Sequence, residues 1–200
     1  MLKIVLASRN KKKIKELKEL LSAYMKVPFE ILSLDDIGFE GEIVEDGDSF
    51  ESNSIIKASV PASLGYIGVA DDSGLTVDAL DGAPGIYSAR YSGEGATDEK
   101  NNTKLLCELK NIEKENRTAS FVCAVSCVFP DGTPSFTTIG KCDGIIIDSP
   151  RGDGGFGYDP LFYYPEYEKT FGEMTADEKN LISHRGAAMR AFAEKLSQLV

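Results

Sequence analysis

The chain reads as an α/β protein with a mixed, twisted central sheet and two lobes enclosing a substrate cleft. Two observations predict this class. Strand-like and helix-like stretches alternate early in the chain, which favours parallel strands joined by helical crossovers. Two long β-rich runs then follow one another around Asp131-Gly132, which calls for an antiparallel hairpin that can build a second lobe. A length of 200 residues suits a single domain over residues 1–200.

Taken in order, residues 2–7 form a short apolar run that predicts a buried first strand. Asn10 can cap a following helix, with Ile14, Leu17, Leu20, Leu21 and Tyr24 at helical spacing. Phe29, Ile31 and Leu32 suggest a second strand, and residues 38–47 form a loop rich in glycine and acid. Helical character resumes near Asp48 and runs through Phe50, Ile55, Ile56 and Ala58 until Pro61 kinks or ends it. Residues 66–70 predict a strand ending at two aspartates, and residues 75–80 another. The turn residues Asp81 to Gly85 come next. A helix is expected over 98–109, then strands over 119–129 and 135–147, then a glycine-rich loop over 150–160. The last helix starts near Ser183 and buries Met189, Phe192, Leu196 and Leu199.

Composition excludes several functions. With 42% hydrophobic and 27% charged residues the chain is an ordinary globular protein, and it has no run of about 18 apolar residues that would span a bilayer. Its N-terminus lacks the features of a signal peptide, so a cytoplasmic location is expected. Cys107, Cys123, Cys127 and Cys142 form no C-x-x-C pair, and the one histidine, His184, is distant in sequence from all four, which argues against zinc. Cys123 and Cys127 share one face of an expected strand and read as buried reduced thiols. A net charge of −10 disfavours nucleic acid as a partner. It permits a small polyphosphate, provided a divalent cation lies between the two sets of oxygens.

Four segments can carry chemistry. In Ser8-Arg9-Asn10-Lys11-Lys12-Lys13 a strand runs into a helix N-terminus, a natural phosphate cradle within reach of Lys13, although the segment lacks the glycines of a Walker A loop. A plain strand-to-helix turn is the competing reading. The acidic set Glu45, Asp46, Asp71 and Asp72 offers hard oxygen ligands for Mg²⁺. Asp71 and Asp72 are expected at a strand's C-terminal edge, where open α/β sheets bind ligands, and Asp-Asp-Ser-Gly is equally good turn chemistry. Gly154-Gly155-Phe156-Gly157-Tyr158-Asp159-Pro160 lets backbone approach a flat ligand while Phe156 offers a stacking surface. Ser183-His184-Arg185-Gly186 sets two hydrogen-bond donors at a helix start, suited to reading a carbonyl oxygen.

All four blocks in this order resemble the inosine triphosphate pyrophosphatase family, which removes deaminated purine nucleotides. The resemblance rests on Ser8, Asn10 and Lys13 in Ser/Thr-x-Asn-x-x-Lys, Lys57-Ala58, Ala70 to Leu75, Gly82 to Arg90, Gly154 to Pro160, and Ser183 to Gly186. It covers essentially the whole chain. It implies Mg²⁺-dependent cleavage between the α- and β-phosphates of ITP, dITP or XTP, by a protein that is usually a homodimer. By the same resemblance Asp72 is general base and metal ligand, and Glu45 is the second metal ligand. Ser8, Arg9, Asn10, Lys11, Lys12, Lys13, Lys57 and Ser73 would contact phosphates. Phe156, Gly157, Tyr158, Asp159, Lys179, His184 and Arg185 would hold the nucleoside.

The chain departs from the family at its second helix. Phe-x-Glu-Asn-Ala is replaced by Phe50-Glu51-Ser52-Asn53-Ser54, which moves the glutamate about 100° around a helix. Arg9 stands where many members have glycine.

The chemistry asked of these residues is consistent. Phosphoanhydride hydrolysis needs charge neutralisation and an aligned water more than covalent help. Donors at His184 and Arg185 suit the C6 oxygen of hypoxanthine and xanthine, and oppose the amino group of adenine. Two other readings stay open on sequence alone. One is a related pyrophosphatase for pyrimidine or methylated nucleotides. The other is a nucleotide sensor without turnover.

Overall fold

The structure, a computed structural model, describes all 200 residues. Its strands are β1 (Leu2–Leu6), β2 (Phe29–Leu32), β3 (Ile67–Val77), β4 (Thr118–Val128), β5 (Phe136–Ile146), β6 (Phe162–Tyr164) and β7 (Lys169–Thr170). Its α-helices are α1 (Lys11–Tyr24), α2 (Phe50–Ser63), α3 (Asp98–Glu108), α4 (Ala176–Ile182) and α5 (His184–Leu199). The strands form one sheet in the order β2-β1-β3-β4-β5-β6-β7. β1 pairs in parallel with both β2 and β3, whereas β6 pairs antiparallel with β5 and β7, so the sheet is mixed as expected.

The chain divides into two compact units. The first comprises residues 1–72, 123–140 and 187–200. Its core joins Ile4 and Leu6 of β1, Leu17 and Leu21 of α1, Val125 and Cys127 of β4, and Phe192 and Leu196 of α5. Ile4, Val5 and Leu6 are each 0% exposed, the uninterrupted apolar run of a strand covered on both faces. The second unit comprises residues 73–122 and 141–186. Its core joins Leu75 and Val77 of β3, Leu105 and Leu109 at α3, and the ring cluster of Phe121, Phe162 and Phe171. Cys123, Cys127 and Cys142 are buried, and burial pushes the Cys127 thiol up to about 12, which keeps it protonated. No helix is long and apolar enough to cross a membrane.

Several sequence expectations are corrected. The strands expected over 66–70 and 75–80 are one strand, β3, and residues 78–80 form a single 3₁₀ turn. The aspartates therefore lie within β3 and do not end it. β1 stops pairing at Leu6, opposite Val69, so Asp71 and Asp72 fall just beyond the C-terminal end of their parallel neighbour. Pro61 lies inside α2, which continues to Ser63 and closes with the Leu64 and Tyr66 amides donating to the Pro61 carbonyl. Leu199, expected to be buried, is 48% exposed near the end of α5. The short helix α4 and the small strands β6 and β7 have too few residues for a periodic signal, and the sequence reading does not find them.

One glycine sets how closely α2 lies on β3. A Cβ added at Gly68 would stand 1.9 Å from the Ala58 carbonyl oxygen. Gly68→Ala must push helix and strand apart, and a loss of about 2 kcal/mol is expected from overpacking of this kind. Urea unfolding measures it, and an unchanged midpoint would contradict the close packing described.

Candidate active site

In the first unit, the loop after β1 is organised by its own side chains. Asn10 is the N-cap of α1, and its Oδ1 accepts from the backbone N–H groups of Lys12 at 2.9 Å and Lys13 at 3.5 Å. Two amides counted on for a phosphate cradle are thus already partnered by Asn10. Ser8 Oγ accepts from the Asn10 amide at 3.1 Å. Arg9 turns toward the following loop: its guanidinium donates to Asp35 at 2.9 Å and to the carbonyls of Phe39 and Gly41 at 2.9 and 3.2 Å. Its guanidinium fastens residues 35–41 to the turn. Lys11 and Lys12 are exposed, and Lys13 is half-buried.

Successive residues of a strand leave it on opposite sides, and this separates the two aspartates. Asp71, whose side chain is 5% exposed, accepts from Lys13 Nζ at 2.7 Å. Asp72 accepts from Lys57 Nζ at 2.9 Å, and the same ammonium donates to Glu45 at 2.9 Å. One lysine of α2 therefore bridges the two carboxylates that the sequence pairs as metal ligands. Burial raises the Asp72 pKa above the usual aspartate value. Lys57 and a hydrogen bond from Asn53 oppose that rise, and the Glu45 charge adds to it. Burial also works against the Lys57 charge, but Glu45 and Asp72 together overcome it and hold its pKa above the ordinary lysine value.

Asn53 is the residue that sequence reasoning passed over. It is 1% exposed, it bonds Asp72, and its Oδ1 accepts from the Gly47 amide at 2.9 Å, which fixes the loop that carries Glu45. The signal available in the sequence was its place in the Phe-x-Glu-Asn-Ala pattern, whose asparagine this chain keeps at position 53. The neighbouring departure from the family pattern also gains an explanation. Ser52 completes a reciprocal cap with Ser49: the Ser49 amide donates to Ser52 Oγ at 3.0 Å, and the Ser52 amide to Ser49 Oγ at 3.1 Å. A glutamate at this third helical position makes the same cap, so serine keeps that helix-starting role. Asp46 is exposed, and Ser73, next along β3, is exposed as well.

No group of three or more His, Cys, Asp and Glu side chains is placed to hold a metal ion. The donor set nevertheless fits Mg²⁺, which binds through one or two carboxylates and fills its remaining positions with water and phosphate oxygens. Glu45 and Asp72 supply those carboxylates, and the ammonium held between them marks a place that demands positive charge.

In the second unit, the glycine-rich loop is rigidly built. Asp159, 2% exposed, accepts from the Phe156 amide at 2.8 Å and from Lys179 Nζ at 2.5 Å. Burial raises its pKa, and Lys179 opposes the rise. Gly155 is required here: its φ is +77°, and a Cβ would lie 2.1 Å from Asp159 Oδ2. Phe156 is left 75% exposed with the Lys179 ammonium 4.8 Å from its ring centroid. Tyr158 is 4% exposed, and its hydroxyl donates to the Ser88 carbonyl at 2.8 Å, which makes it an anchor of the loop. His184, 8% exposed, begins α5 and stacks on Phe121 at 4.9 Å between centroids, and Phe121 stacks in turn on Phe171 at 5.6 Å. Arg185 follows it and is half-buried. Phe156, Asp159, Lys179, His184 and Arg185 thus all belong to this unit, as Lys13, Glu45, Lys57 and Asp72 belong to the other.

Known proteins match this chain over its whole length. It is 49% identical over 197 residues to the dITP/XTP pyrophosphatase of Geobacter sulfurreducens, covering 98% of this chain and 97% of the relative. It is 47% identical over 207 residues to the dITP/XTP pyrophosphatase of Clostridium perfringens, covering 100% of both. Among solved structures, the Staphylococcus aureus Ham1 protein superposes with a TM-score of 0.91 at 38% identity, over 99% of this chain and 100% of that one. A family model described as the Ham1 family matches residues 4–195, and the chain belongs to that family.

Proposed function

We propose that this protein is a Mg²⁺-dependent pyrophosphatase that hydrolyses deaminated purine nucleoside triphosphates to the monophosphate and pyrophosphate, clearing them from the nucleotide pool. The substrates are ITP, dITP and XTP. The observation that carries the reading is the Glu45–Lys57–Asp72 bridge beside the Lys13–Asp71 pair: three carboxylates and two lysines fixed around the end of β1. The names of the full-length relatives support the choice of substrate class.

The chain's own residues account for each demand of the reaction. Lys13 and Lys57 hold fixed positive charge where a triphosphate brings negative charge. When bound, Mg²⁺ neutralises phosphate oxygens and lowers the pKa of water. Asp72 takes the proton from the attacking water as its oxygen bonds to a phosphorus of the α–β anhydride, and the bond from that phosphorus to the bridging oxygen breaks. Asn53 orients Asp72 throughout. In the second unit Phe156 offers a stacking surface for the base, and His184 and Arg185 offer donors for its C6 oxygen.

Adenine would set its amino donors against those donors. Each unpaired buried donor costs about 1–3 kcal/mol, so ITP is expected to exceed ATP in kcat/KM by roughly a hundredfold or more. Pyrophosphate release from ITP, XTP, ATP, dTTP and UTP, with and without Mg²⁺, tests the whole reading. Equal rates on ITP and ATP, a preference for dTTP or UTP, or release unaffected by chelator would overturn it in the corresponding part.

A further inference from the structure

The loop that presents Phe156 is gripped from outside as well as from within. The Gly157 amide donates to Asp98 Oδ2 at 2.8 Å, and Asn102 Nδ2 donates to the Gly157 carbonyl at 3.0 Å. Asp98 and Asn102 are four residues apart on α3, hence on one face of it. That helix is firmly planted. Thr97 caps it through the Lys100 amide, and Leu105 is 0% exposed in the core. Asn101, 3% exposed, donates to the Ser88 and Ala89 carbonyls and accepts from the Ser92 amide at 2.8 Å. Gly157 sits between the exposed ring of Phe156 and the buried ring of Tyr158, at φ +61°. Both of its backbone polar groups are thereby spoken for by one helix face.

We propose that Asp98 and Asn102 are positioning residues for the nucleobase. By holding both polar groups of Gly157 they fix the attitude of the Phe156 ring before substrate arrives. The stacking surface is then preorganised, and binding does not have to order the loop. Their contribution falls on substrate affinity and leaves the chemical step alone, because neither residue belongs to the unit that carries Asp72. The proposal rests on the reading of Phe156 as the ring that stacks on the base.

Steady-state kinetics with ITP test it. Asp98→Ala, at an exposed position, is expected to raise KM about tenfold with kcat within about twofold, the cost of ordering roughly one more loop residue on binding. Asn102→Ala should move KM in the same direction. Asp98→Asn keeps an acceptor oxygen and should restore the wild-type KM. In the Phe156→Ala background, adding Asp98→Ala should change nothing further, since a grip on a ringless loop has no effect to exert. A KM that stays at the wild-type value in Asp98→Ala, a loss that appears in kcat, or additive effects in the double variant would each overturn the proposal. An unchanged KM in Phe156→Ala alone removes the stacking reading and the proposal with it. A raised KM there beside an unaffected Asp98→Ala removes only the proposal.

Discussion

Asp72→Asn is expected to lower kcat for ITP by at least about a thousandfold while the protein stays folded. General-base assistance alone is worth about a hundred- to ten-thousandfold, and the same substitution removes one of the two carboxylates of the proposed cation site. The fold should tolerate it because an amide oxygen at position 72 can still accept from Lys57, as the carboxylate does at 2.9 Å. The substitution also removes a charge that burial opposes, which offsets part of the lost ion pair. Single-turnover pyrophosphate release and a thermal melt together decide the matter. Hydrolysis near the wild-type rate, with the melting temperature unchanged, would sink the assignment of Asp72 as base.

Lys57→Met has the larger structural consequence. The ammonium is 13% exposed and is shared by Asp72, at 15%, and Glu45, at 35%. Without it two carboxylates face each other with their solvation reduced. Breaking a fully buried pair costs about 3–5 kcal/mol, and the openness of Glu45 to solvent lowers this to about 1–3 kcal/mol. For a chain of this size the melting temperature should fall by roughly 5 °C. Millimolar Mg²⁺ should return much of that loss by mass action, since the proposed cation site exists in the folded protein and not in the unfolded chain. Turnover should nevertheless stay at least about a hundredfold down, because the fixed charge proposed to face the phosphates is gone. Melting curves with Mg²⁺ and with chelator give the readout. A variant as stable as the wild type in chelator would show that the bridge contributes nothing.

The regular elements were legible wherever the chain is long enough to repeat its pattern. The heptad-like spacing from Ile14 to Tyr24 gave α1, and Asn10 marked its start. The two β-rich runs gave β4 and β5, with Gly132 at φ +84° in the turn between them. Polar residues misled where tertiary pairing overrode local preference. Asp-Asp-Ser-Gly is turn chemistry in isolation, yet here it is held extended inside an eleven-residue strand. Candidate site residues were legible as identities and less so as roles. Arg9 and Tyr158 also fasten the fold from within, through Asp35 and the Ser88 carbonyl, partners that local sequence does not name. Asn53 acts through the Gly47 amide six residues back, and Asp98 and Asn102 through backbone groups of Gly157 more than fifty residues on, contacts that leave no periodic trace.

The way the chain is apportioned also sets what each unit needs in order to hold together. The core joined by Phe121, Phe162 and Phe171 is built entirely from residues that precede the buried face of α5. The core of the unit that carries Lys13, Glu45, Lys57 and Asp72 instead takes Phe192 and Leu196 from α5, far along the chain from those four residues. Damage to α5 therefore falls first on the unit of the carboxylates and leaves the other core with all of its own residues.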